Sequence, residues 1–76
     1  LLIAISSSGN SPNILNAIKK SKEMSIFTIG LSGFDGGSLR EESNISIHIN
    51  LNNYPGVEFL HQYCLDLICM SLFKES

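Results

Sequence analysis

The sequence has 76 residues and a formal net charge of −2, from five Lys and Arg against seven Asp and Glu. That balance offers no basic footprint for nucleic acid, and no apolar run is long enough to cross a bilayer, so neither kind of partner is expected. At this length one domain is the most the chain can hold, and a core built from it alone would be marginal.

Residues 1–5, Leu-Leu-Ile-Ala-Ile, are continuously apolar and predict a strand buried on both faces. Domains seldom open inside such a strand, because termini are usually polar and frayed. The sequence is therefore expected to be part of a larger domain that supplies further strands. Ser11 and Pro12 read as a helix start, serine at the N-cap and proline at the first helical position. Ile14, Leu15, Ala17 and Ile18 make one apolar stripe at helical spacing, while Lys19, Lys20 and Lys22 gather towards the C-terminal end, where cations suit the helix dipole. Residues 25–31, SIFTIGL, predict a second strand rich in β-branched and aromatic side chains. Residues 32–38, SGFDGGS, form a glycine-rich loop in which Asp35 is a turn residue, and residues 39–43 suggest a short helical turn. Ile45, Ile47 and Ile49 alternate with Ser46 and His48, predicting a third strand whose polar face puts His48 at the surface. Residues 50–56 read as a loop and 57–74 as a long apolar helix. Cys64 and Cys69 lie on different faces of that helix; they suggest buried free thiols of a cytoplasmic protein, not a disulfide or a metal pair. This order of elements is that of a parallel α/β sheet with right-handed crossovers.

The stretch AISSSGNSPN, residues 4–13, places four serines in six positions between a strand and a helix. In open α/β sheets ligands bind at the carboxyl ends of the strands. A helix N-terminus there adds unpaired amides and positive potential, and serine hydroxyls add donors without bulk, so the combination suits a phosphate. A plain helix cap would need only Ser11. Neither the G-x-x-x-x-G-K-[ST] loop of nucleotide hydrolases nor the G-x-G-x-x-G of dinucleotide folds is present.

These residues carry a resemblance. Residues 1–37, with the serine loop and the glycine turn at their proper separation, resemble the C-terminal half of sugar isomerase (SIS) domains, in particular the phosphoheptose isomerase group. The match runs on to about Ile49 and continues more loosely through Val57-Glu58-Phe59-Leu60-His61. The resemblance implies a flavodoxin-like three-layer α/β/α sandwich with a parallel sheet, of which this chain, residues 1–76, would hold about three strands as the C-terminal part of a single domain. It also implies that Ser6, Ser7, Ser8 and Ser11 bind the phosphate of a sugar phosphate, that Gly9 and Asn10 shape the loop, and that Gly33, Gly36 and Gly37 form the turn after the next strand.

In the family the last helix carries a glutamine, a histidine three residues on, and a second histidine five further; here the matching positions hold Glu58, His61 and Asp66. By resemblance these three are the catalytic candidates, and Glu58 and Asp66 the candidate ligands of a zinc ion. A carboxylate can act as base or ligand, but it titrates well below histidine unless desolvated or crowded by another carboxylate. Two functions follow. One is an isomerase interconverting ketose and aldose phosphates, with sedoheptulose 7-phosphate as the family's substrate, in lipopolysaccharide or capsule biosynthesis. The other is a non-catalytic module that senses a sugar phosphate or acts in assembly, for instance by binding a replication initiator; loss of the second histidine suits it. The last helix, apolar nearly all round, needs cover on its far side; with the family's tetramer this implies a homo-oligomer with Phe59, Tyr63, Met70 and Phe73 in contacts beyond their own sheet.

Overall fold

The computed structural model describes residues 1–72. Three strands, β1 (Leu2–Ser6), β2 (Thr28–Ser32) and β3 (Ile45–His48), alternate with three helices, α1 (Pro12–Glu23), α2 (Gly37–Glu42) and α3 (Tyr54–Leu72). The strands form one parallel sheet in the order β1-β2-β3, with Ser6 beside Ser32 and Ser32 beside His48 at the carboxyl ends. Phe73 and the predicted helix end at Lys74 lie outside the described residues.

Alternation along the strands sorts the helices onto two faces. Ala4 packs with Ile18 of α1 and Leu39 of α2, and a Cβ on Gly30 would meet the Leu39 side chain. Thr28, on the same face of β2, shares a hydrogen bond with Ser21 of α1 (3.1 Å). Gly33 continues the opposite face, and a Cβ there would meet Val57 of α3. The result is helix, sheet and helix in three layers, as expected. Leu31, Leu39 and Val57 are fully buried. On the α3 side Ile45 and Ile5 stay partly exposed, so the third strand's isoleucines are less covered than their alternation suggests. Cys64 and Cys69 are free but only partly buried, because α3 lies against the sheet chiefly through Val57 and His61.

Three boundaries differ from the sequence pattern, each for a local reason. The second strand begins at Thr28, not at residue 25. Ser25 adopts φ 56°, and its N–H and that of Ile26 bond back to the Lys22 and Ser21 carbonyls (3.1 and 2.8 Å). This is a Schellman ending, with serine in the left-handed position that glycine usually takes. Helix α2 spans Gly37–Glu42, not 39–43, because Asp35 Oδ1 accepts the Gly37 N–H and Asn10 Oδ1 the Ser38 N–H (3.1 and 3.0 Å). Helix α3 begins at Tyr54 rather than 57: Asn53 Oδ1 accepts the Gly56 N–H (2.8 Å), a side-chain cap, and Pro55 is tolerated in a first turn whose N–H groups lack helical partners. His48, expected at the surface, is half-buried, and its Nε2 donates to the Phe34 carbonyl (2.7 Å).

Candidate functional site

The serine loop, residues 6–11, leaves the carboxyl end of β1 and enters α1. Its shape comes from its own side chains. Ser6, buried, accepts the Gly9 N–H through both its carbonyl and its hydroxyl (3.1 Å each). Ser8 Oγ accepts the Asn10 N–H (3.2 Å). Each hydroxyl so used keeps one hydrogen to donate. Ser7 is held through its backbone, its carbonyl accepting the Gly33 N–H (2.7 Å), and its side chain takes no part in shaping the loop. Ser11 occupies the N-cap position of α1, but its hydroxyl makes no cap hydrogen bond. The local pattern that predicts a capping serine is thus correct in position and not in bonding. A first turn without its side-chain cap keeps amides available for an anion, with the dipole adding to them.

The loop is strapped to its neighbour after β2. Besides the Gly33 to Ser7 bond, the Leu39 N–H donates to the Gly9 carbonyl (2.9 Å) and Ser38 to the Asn10 side chain. The two loops touch backbone to backbone: Gly9, at φ 74°, has room for no Cβ, which would stand 1.8 Å from the Gly36 carbonyl oxygen. Gly36 and Gly37 also have positive φ, and a Cβ on Gly37 would strike the Asn10 side chain. Asn10 therefore shapes both loops at once. Its capping of α2 from 28 residues away could not be read from local pattern.

The last helix brings only part of its candidate set to this end of the sheet. Its first turns follow the carboxyl end of β3, with Val57 seated on Gly33 and Glu58 next to it, exposed. His61 is 2% exposed, and its Nε2 donates to the Ser32 carbonyl (2.7 Å). Asp66 lies eight residues beyond Glu58, about 12 Å along the axis at roughly 1.5 Å per residue. It is exposed, and its carboxylate accepts a hydrogen bond from Gln62 (2.9 Å). A zinc ion needs several ligands at about 2 Å. Two carboxylates so far apart do not make that set, and among the described residues no group of three His, Cys, Asp or Glu stands close enough to hold a metal.

In sequence and fold the chain is similar to phosphoheptose isomerases. No family model matches the chain. The chain is 39% identical over 75 residues, 99% of its length, to a phosphoheptose isomerase of Aliarcobacter butzleri, and 36% identical over 72 residues to that of Campylobacter concisus. It spans about 40% of the length of these curated relatives. Among solved structures, a phosphoheptose isomerase from Neisseria gonorrhoeae superposes with a TM-score of 0.84 at 25% identity, over 90% of this chain and 40% of that one. One from Francisella tularensis gives 0.83 at 26% identity, over 90% of this chain and 38% of that one.

Proposed function

We propose, from the premise that the chain belongs with the phosphoheptose isomerases in sequence and fold over the stretch it shares with them, that it binds a sugar phosphate at residues 6–11 and serves an isomerase acting on sedoheptulose 7-phosphate or a close relative. The observation that carries this reading is the serine loop at the carboxyl end of the sheet, running into a helix whose N-cap hydroxyl is not spent on the helix. Hydroxyls and amides there grip the phosphate, and its binding energy orients the distant carbonyl end of the sugar. Glu58, in the first turns of α3 at the same end of the sheet, is the group to move a proton. It takes one from the hydroxyl-bearing carbon beside the carbonyl and returns it to the former carbonyl carbon, while the hydroxyl proton passes from that carbon's oxygen to the former carbonyl oxygen, so that ketose becomes aldose with no external oxidant or reductant.

One observation favours a second reading. Asp66 is exposed, tied to Gln62 and two turns from Glu58, so a partner group for proton transfer is missing from the described part of the helix. A module that binds a sugar phosphate without turning it over would look the same. Calorimetry and turnover with sedoheptulose 7-phosphate separate the cases. Micromolar binding with measurable turnover is expected; binding alone gives the second reading, and no binding removes both.

The same proposal includes a cytoplasmic setting. Among the described residues no helix is long and apolar enough to cross a membrane. The protein also forms a homo-oligomer, most simply a tetramer. Phe59, Tyr63 and Met70 are 73, 60 and 68% exposed along α3, an apolar surface that one sheet leaves uncovered. Light scattering at micromolar concentration is expected to give a mass of several chains, and a monomer would rule this interface out.

A further inference from the structure

We propose that His61 is a positioning residue for the serine loop, acting through the peptide group between Ser32 and Gly33. The inference rests on the reading of that loop as a phosphate site. The two ends of this one peptide bond face different elements. Its carbonyl accepts the His61 Nε2–H from α3 (2.7 Å), and its N–H donates to the Ser7 carbonyl in the serine loop (2.7 Å). The same carbonyl also accepts the Ile49 N–H (2.9 Å), so the peptide plane is held from three sides. Val57 locks it further, since its two methyl groups fill the space where a Gly33 side chain would stand. Hydrogen bonds sharing one peptide group polarise one another: a donor on the carbonyl makes the N–H a better donor. The link runs through backbone alone, because the buried Ser32 hydroxyl has no partner among the described residues.

Stability by itself does not call for a histidine here. A carbonyl can only accept, so Nε2 carries the hydrogen and Nδ1 is left as an acceptor, buried and without a partner among the described residues. An apolar ring of similar size would avoid that cost. What the histidine adds is the donor at Nε2, aimed at the peptide that holds Ser7. At 2% exposure His61 does not reach a ligand in the loop, so its effect on binding is indirect.

The test compares His61→Phe with His61→Gln, whose side-chain amide presents a donor near the Nε2 position. Two readouts are followed: the Gly33 amide proton shift by NMR and the affinity for inorganic phosphate by calorimetry. In His61→Phe the Gly33 amide proton is expected to move upfield, and phosphate affinity to fall roughly three- to tenfold, the scale of one hydrogen bond. His61→Gln is expected to restore both. An unmoved Gly33 shift with unchanged affinity overturns the proposal. Wild-type protein that binds no phosphate, with a Gly33 shift that still responds to His61→Phe, removes the phosphate reading and leaves the coupling standing. Should His61→Phe fail to fold, the wild type decides. Coupling is reciprocal, so phosphate saturation must shift the His61 Nε2–H resonance, and a resonance that stays put is the overturning result.

Discussion

Gly9→Ala is expected to lower the stability of the protein by about 2 to 5 kcal/mol and to abolish phosphate binding. Two costs add. A non-glycine residue in the left-handed region, where Gly9 sits at φ 74°, costs about 1–2 kcal/mol. The new Cβ would also stand 1.8 Å from the Gly36 carbonyl oxygen and 2.5 Å from its carbon. Both are backbone atoms, so no rotamer change relieves the contact, and forced shifts of this kind cost about 1–3 kcal/mol more. The shift strikes several bonds together. Gly36 is the N-cap of α2, the Gly9 carbonyl accepts the Leu39 N–H, and the Gly9 N–H closes the turn on Ser6. Separating the loops would carry Ser7 and Ser8 out of register with α1. Against a typical stability of about 5–15 kcal/mol, the loss is large enough to measure by denaturant unfolding. A variant within about 0.5 kcal/mol of wild type, the usual range for a surface change, would show that the loops do not meet as closely as described.

How far the sequence reveals this arrangement depends on the range of the interaction. The parallel α/β order, the strand-to-helix junction at residues 6–11 and the glycine turn were legible, because each rests on neighbours within a few positions: apolar runs, Ser-Pro, Gly-Gly. Ser25 was not, since a serine in the left-handed position looks like any strand residue until its N–H is seen bonded to Lys22 and that of Ile26 to Ser21. Nor was the start of α3, where Asn53 outweighs the loop character of Tyr54-Pro55-Gly56. The least legible features join distant elements. Asn10 is expected to shape its own loop, yet it also caps a helix 28 positions away. His61 reads as a catalytic candidate, yet its ring is turned onto the Ser32 carbonyl, 29 positions back. His48 alternates like a surface residue and is instead bonded to Phe34. In each case the side chain's use is decided by a backbone group that only the tertiary fold brings near.

The four loop serines divide by the same bonding, and the division predicts which of them act on the ligand alone. Ser6 and Ser8 hold the loop's own amides, so alanine at either should lower stability and phosphate affinity together. Ser7 and Ser11 are different. The Ser7 side chain shapes nothing, and Ser11 makes no cap bond, although alanine at a working N-cap costs about 1 kcal/mol. The double variant Ser7→Ala, Ser11→Ala is therefore expected to unfold within about 0.5 kcal/mol of wild type, as substitutions away from structural bonds do. Its affinity should respond strongly. A hydrogen bond to a charged group contributes about 1.5–3 kcal/mol, so two of them lost from a phosphate amount to about 3 kcal/mol or more, a fall of at least roughly 100-fold in affinity. Calorimetry with inorganic phosphate and with sedoheptulose 7-phosphate measures it, and equal losses for both would place the two hydroxyls on the phosphate rather than the sugar. If affinity is unchanged, the hydroxyls do not face the ligand and the loop is a turn with a helix behind it. If affinity falls only in step with stability, the serines hold the loop and the amides of α1 bind the anion without them.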